Sequence, residues 1–315
     1  MLQSPTFDVC LGGAEANVAV ALARLNNDAR MVSVLPDNVL GRRARDELRR
    51  HGVDVTQVQF GPGRMGLYFL TNGALLRPSE VLYDRAYSAF TEAADCSIDW
   101  ALSLKGAERL HLSGVTAALG ASSAKAALRA AEAAKNAGVP VSFDGNYRAK
   151  LWESWNGNSG EILRSMLALS DIAFADERDI GLVLQCEFPG SREDRFQEAA
   201  DAAFAEFPNL QVITCTQRVQ HSVDHHDLSA VLITRDSKLQ AKQYELRCVV
   251  DRVGAGDAFV AGMLHLLARC ASHRDALDFA LASAVLKHSI PGDLNLVEEA
   301  DIHALLSEEG LHVRR

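Results

Sequence analysis

Two short segments near opposite ends of the chain hold residue types able to do chemistry. The first is Val249-Val250-Asp251-Arg252-Val253-Gly254-Ala255-Gly256-Asp257-Ala258-Phe259, in which a β-rich run ends at Asp251 and a helix of small and apolar residues is expected from Asp257. Glycine lets the backbone turn sharply and come close to a ligand, and the first amides of a helix point at whatever lies in front of them. Gly254, Ala255 and Gly256 would therefore form an anion hole. Asp257 at its edge could cap the helix or serve as a base beside the anion, and local chemistry leaves both readings open. The second segment is Gly12-Gly13 followed by an alanine-rich helix through Leu25. Its glycines permit either close packing on a sheet or the approach of a small molecule, and Asn17, polar amid small residues, needs a partner if buried.

Other chemistries fail on spacing or charge. A dinucleotide fingerprint GxGxxG would need glycine where Phe259 stands, and the phosphate-binding pattern GxxxxGK[ST] is absent. The six cysteines are scattered without a CxxC pair, so reduced thiols and a cytoplasmic location are expected. His221, Asp224, His225, His226 and Asp227 invite a metal reading, but an exposed loop is expected there, and adjacent histidines in extended chain point oppositely. Thirty-two Lys and Arg against forty-one Asp and Glu give a net charge of −9, so no overall positive field draws nucleic acid or anionic lipid. The weakly polar run 258–270 holds His265 and Arg269 and is too short for a bilayer span, and the first residues lack the basic and apolar regions of a secretory signal.

The elements that must position these residues read as an α/β protein of 315 residues. Strands are expected at 110–113, 140–143, 172–174, 211–214 and 230–234, and helices at 38–51, 122–136, 160–169, 177–184, 192–206, 257–271 and 273–288. That alternation is the signature of a parallel sheet covered on both faces. Three strand-like runs at 55–60, 66–70 and 80–87, with no helix between them, suggest a small antiparallel sheet forming a lid. The expected division is a core of residues 1–53 and 92–315 with a lid at 54–91.

With GGAEANVAVALARL at 12–25 and DRVGAGDAF at 251–259 in this order, the sequence resembles the ribokinase-like (PfkB) carbohydrate kinases. Gly66-Leu67-Tyr68-Phe69, Tyr83-Asp84-Arg85, Asp144-Gly145-Asn146-Tyr147-Arg148 and the 286–293 stretch look like the 2-keto-3-deoxygluconate kinase branch. The resemblance implies a three-layer αβα sandwich with a β lid, MgATP as cosubstrate, and transfer of phosphate to the 6-hydroxyl of the sugar acid. By it Asp257 is the catalytic base, with the amides of Gly254, Ala255 and Gly256 stabilising the transferring phosphoryl. Arg85 and Arg148 would grip the substrate carboxylate, Tyr68 and Tyr83 would add hydroxyls, and Gly13 and Asp293 would meet the sugar. Thr216 and Arg218, with Gly254 and Gly256, would border the nucleotide. The family's NxxE element falls on Phe174-Ala175-Asp176-Glu177, which assigns Asp176 and Glu177 to magnesium although Phe174 replaces the asparagine. A homodimer paired through the lid is also implied.

The family ordinarily begins with a strand bearing a Gly-Glu or Gly-Asp pair upstream of the GG element, and only 1–9 precede Cys10. An upstream extension is therefore expected to raise stability. Alternative readings are another sugar kinase of the family, acting on fructose or ribose, and a non-catalytic sugar-binding homologue. A nicotinamide dehydrogenase is disfavoured by the failed fingerprint.

Overall fold

A computed structural model describes residues 5–307; the reading of the first four residues and the expected core's last eight lie outside the described residues. The order of elements is α1 (Ala14–Arg24), β1 (Arg30–Pro36), α2 (Val39–Arg50), β2 (Asp54–Gly61), β3 (Leu67–Thr71), β4 (Glu80–Asp84), α3 (Ala89–Ser97), α4 (Trp100–Ser103), β5 (Leu110–Ser113), α5 (Gly114–Ala117) and α6 (Ala121–Asn136). Then follow β6 (Val141–Asp144), α7 (Ala149–Glu153), α8 (Ser159–Ala168), β7 (Ile172–Phe174), α9 (Glu177–Leu184), α10 (Arg192–Glu206), β8 (Val212–Gln220), β9 (His225–Thr234), β10 (Lys238–Gln240), β11 (Tyr244–Arg247), α11 (Ala255–Ala268), α12 (His273–Lys287) and α13 (Glu299–Leu306).

The main sheet has the order β10-β9-β8-β7-β6-β5, with β11 also on β9. Strands β5 to β8 run parallel, and β9 turns the sheet antiparallel beyond them. The parallel strands are short apolar runs because helices cover both faces. On one face, α6, α8, α9 and α10 enclose Phe143, Phe196, Met166 and Ile213. On the other, α11 and α12, with Val18 and Ala21 of α1, enclose Phe174, Phe259, Leu277 and Leu281. Each fully buried phenylalanine contributes about 2–3 kcal/mol. Small residues set the helix distances: Ala124, Ala127, Ala130, Ala131 and Ala134 line the inner face of α6 at helical spacing. The three-layer αβα sandwich is thus present, with a mixed rather than wholly parallel sheet.

Three local expectations are corrected and one unexpected strand is added. The three runs at 55–87 do not share one sheet: β2 pairs in parallel with β1, and only β3 and β4 form the antiparallel hairpin. Strand β1 itself escaped the sequence reading, although Met31, Val32, Val34 and Leu35 lie between turn-forming residues. The last run stops at Asp84, because Tyr87 takes a left-handed backbone (φ 55°) that ends a strand. Finally, the histidine cluster is not one exposed loop. Strand β8 continues to Gln220 and pairs with β9, which contains both His225 and His226. The two rings do alternate: His226 is buried, while His225 meets Glu245 at 2.9 Å.

Candidate active site

The carboxyl ends of β5 and β6, the starts of α1 and α11, the 290–293 turn and the β3-β4 hairpin converge. Open α/β sheets present ligand crevices at the carboxyl ends of parallel strands. Glu15, in the first turn of α1, accepts hydrogen bonds from the Ser113 amide (3.0 Å) and the Thr116 hydroxyl (2.6 Å), which ties α1 to the end of β5. Asn146 Nδ2 donates to Ser113 Oγ at 3.2 Å and joins the end of β6 to the same corner.

Helix α11 begins at Ala255, two residues before the expected start, with Gly254 as its left-handed N-cap (φ 76°). Asp257 therefore sits inside the first turn and does not cap it. Its Oδ2 instead accepts a hydrogen bond from Asn17 Nδ2 at 2.7 Å, across 240 positions of sequence. Burial pushes the Asp257 carboxyl up to about 7; Asn17 opposes this, Asp293 and Glu15 add to it, and Arg148 opposes it. A carboxyl poised there can accept a proton near neutrality. Because a base must be ionised to act, kcat/KM is expected to fall about tenfold per pH unit below 7 and to level off above it. A rate profile flat from pH 5 to 8 would contradict this.

Asp293 acts on the Asp257 carboxyl from the 290–293 turn. The Tyr68 hydroxyl donates to Asp293 Oδ1 at 2.5 Å, bringing the hairpin onto the 290–293 turn. Two glycines make room for this turn. A Cβ on Gly12 would stand 2.3 Å from Asp293 Oδ2, and one on Gly254 would stand 2.0 Å from the Asp293 carbonyl oxygen. Gly254→Ala adds that clash to a strained left-handed backbone, and is expected to lower the melting temperature by about 5 °C and the rate at least about tenfold. Thermal denaturation and initial rates check both. The first intrahelical bond runs from the Ala258 amide to the Gly254 carbonyl, so the Gly256 amide has no helical partner, whereas the Ala255 amide reaches the Arg252 carbonyl at 3.3 Å.

The β3-β4 register places Tyr68 opposite Tyr83 on one face of the hairpin and Phe69 opposite Leu82 on the other. The Arg85 guanidinium lies over both tyrosine rings, 5.5 Å from Tyr68 and 5.3 Å from Tyr83. Among the described residues no acid pairs with it, although Asp293 and Glu15 act on its charge. Arg148 stands exposed before α7 and acts electrostatically on Asp257, Asp144 and Asp179. Gly13 is the N-cap of α1, one residue from the Asp293 contact.

The expected nucleotide and magnesium residues sit on neighbouring elements. Thr216 and Arg218 lie on β8. Arg218 Nε is buried without a partner, and the charge beside it is Arg252, so two cations share a region with no acid paired to either among the described residues. The Nε2 atoms of His226 and His288 are likewise unpartnered, and both imidazoles are pushed down to about 4, chiefly by burial. Cations without counter-ions beside a helix start fit a polyphosphate. At α9, Asp176 is engaged in a capping box and by the Arg178 side chain, and Glu177 faces Arg195 at 3.8 Å. The acid of this helix start that reaches the site is Asp179, which burial raises to about 7 and whose Cγ would lie 3.1 Å from a Cβ on Gly145. No group of three or more potential ligands gathers among the described residues, so a metal here would take ligands from phosphate.

Sequence reasoning singled out Asn17 but gave it no role, carried Glu15 and Asp144 only inside the matching motifs, and missed Asp179 altogether. The D-x-x-D spacing of the capping box was the available signal for Asp179.

A carboxyl raised to about 7 in the first turn of a helix, beside helix-start amides and cations without paired acids among the described residues, on an α/β sandwich, fits phosphoryl transfer. The chain belongs to the pfkB family of carbohydrate kinases, whose model matches residues 1–299. It is 32% identical over 296 residues to the 2-dehydro-3-deoxygalactonokinase of Haloferax volcanii, covering 93% of this chain and 86% of that one. It is 28% identical to the 5-dehydro-2-deoxygluconokinase of Bacillus subtilis, with 96% and 88% covered. The crystal structure of the 2-dehydro-3-deoxygluconokinase of Thermotoga maritima superposes with a TM-score of 0.91 at 36% identity, covering 98% and 92%.

Proposed function

We propose that this kinase transfers phosphate from MgATP to the 6-hydroxyl of 2-keto-3-deoxygluconate. The observation that carries the reading is Arg85: a largely buried guanidinium, braced by two tyrosines and, among the described residues, paired with no acid, with Asp293 acting on its charge. A guanidinium fork matches the two oxygens of a carboxylate. The names of the three relatives, each a kinase of a keto-deoxy sugar acid, support the same substrate class.

In this mechanism ATP, when bound with Mg2+, supplies the γ-phosphoryl group. Arg85 and Arg148 hold the substrate carboxylate, and Tyr68, Tyr83, Gly13 and Asp293 orient its hydroxyls. Asp257 holds the 6-hydroxyl and takes its proton as the oxygen attacks phosphorus. Because phosphoryl transfer has a loose transition state, orientation and a late proton transfer suffice. The amides of Gly254 and Gly256 would face the charge on the transferring group, joined by that of Ala255 if it leaves the Arg252 carbonyl. Thr216 and Arg218 would border the nucleotide, and Asp179 would meet from the α9 start a magnesium ion carried by the phosphates, with Asp176 and Glu177 beside it once released from Arg178 and Arg195.

A second reading is favoured by the relative from Haloferax volcanii, namely the galacto epimer of the same acid. Isolation of the product and mass spectrometry of its fragments test the assignment. Phosphate on C6 of the keto-deoxy acid supports it, and phosphate on any other carbon removes Asp257 from its role. We place the protein in the cytosol because all six cysteines are free thiols, with no helix among the described residues long and apolar enough to cross a membrane. The outer hairpin face exposes Leu67 and Leu82, and we propose that a second copy covers it.

A further inference from the structure

Behind the site lies a buried ammonium that neither the base nor the substrate arginines account for. Lys287 is the last residue of α12 and is fully buried, a place lysine takes only with partners. Its Nζ donates to the Ile290 carbonyl at 2.9 Å, and the acids that act on it are Asp251, Asp293 and Asp257. Asp251 in turn ties two segments together. Its Oδ1 accepts from the Val253 amide at 2.9 Å and its Oδ2 from the Gly292 amide at 2.9 Å. The first amide belongs to the turn that opens α11, and the second to the turn that bears Asp293. Those turns touch where the Asp293 carbonyl leaves no room for a Cβ on Gly254.

We propose that Lys287 is a positioning residue, its ammonium donating to the Ile290 carbonyl while its charge offsets that of the Asp251 carboxylate, so that the α11 amides and Asp293 keep fixed places around the reacting hydroxyl. The inference rests on the site reading given above, with Asp257 as base and the amides as the phosphoryl site. Lys287 touches no substrate. It acts by balancing the charge of the half-buried Asp251 carboxylate, whose two oxygens tie the two turns together. A misplacement of about 1 Å in such a site costs on the order of 100-fold in rate. The competing role is a helix cap, because a positive charge at the end of α12 is favourable by itself. A cap shows in melting temperature, whereas positioning shows in turnover.

Two variants separate these roles. Lys287→Met keeps the length and removes the charge, while Lys287→Gln keeps a donor for the Ile290 carbonyl without the charge. Binding is read by tryptophan fluorescence, with MgADP alone and with MgADP plus fluoroaluminate as a mimic of the transferring phosphoryl. Both variants are expected to bind MgADP within about twofold of the parent, to bind the fluoroaluminate complex about 30-fold more weakly, and to lose kcat by a similar factor with KM little changed. Either folded variant matching the parent on the fluoroaluminate complex overturns the proposal, as does a Gln variant that restores what Met loses. The binding arm needs no acceptor, so it stands whichever sugar acid is used. A parent that phosphorylates no sugar acid counts against the substrate reading alone.

Discussion

Asp257→Asn is expected to lower kcat by about 10³-fold or more while leaving the affinity for MgATP within about threefold. The substitution preserves shape and can keep a contact with Asn17, which now reaches Asp257 Oδ2 at 2.7 Å. What it removes is the proton acceptor. The same variant carries a second signature of opposite sign. Burial raises the Asp257 carboxyl to about 7, above its value in an unfolded chain, so the folded protein loses stability as the pH rises from about 4 through 7, and the whole cost is present above that. Asparagine escapes this cost. The variant is therefore expected to melt about 3 °C higher than the parent at pH 8, with the gain fading toward pH 4. A variant that turns over within tenfold of the parent would remove Asp257 as the base, and one that melts lower at pH 8 would contradict the burial argument.

Arg85→Gln is expected to raise KM for the sugar acid by about 30- to 100-fold and to leave any slow activity on fructose unchanged. The guanidinium is held between Tyr68 and Tyr83, so glutamine can occupy its place without an acid being left unpaired. The loss then belongs to the substrate carboxylate. An equal loss on the acid and on the neutral sugar would show that Arg85 supports the hairpin instead. Arg148 is exposed and acts on the three half-buried acids Asp257, Asp144 and Asp179, so its removal is the smaller effect of the two.

What could be read in the sequence follows from the range of the interactions involved. The helix 38–51 was legible to within a residue because Asn38 caps it with its own side chain and its polar and apolar faces alternate locally. The glycine turn before Asp257 was legible for the same reason. The exact start of α11 was not, because Gly254 is held in its left-handed turn by the Asp293 carbonyl, 39 positions away by subtraction of the residue numbers. Glu15 and Lys287 were illegible as site elements, since a carboxylate tied to β5 and an ammonium behind Asp251 look like ordinary surface charges until the fold buries them. Strand β1 was lost because only Val34 and Pro36 of its residues are fully buried, so no clean alternation marks it. The extent of β9 was hidden by polar residues, as His226 faces inward against His288 at 5.0 Å between ring centres.

The most direct test is the initial rate of ADP release from MgATP with 2-keto-3-deoxygluconate, its galacto epimer, 5-dehydro-2-deoxygluconate, fructose and ribose compared side by side. A kcat/KM for the keto-deoxy acids at least about tenfold above that for fructose and ribose is the result expected from a site that reads a carboxylate through Arg85, with 2-keto-3-deoxygluconate the best of the acids under the proposed function. A preference for fructose or ribose would keep the phosphoryl-transfer machinery of Asp257 and contradict the carboxylate pocket.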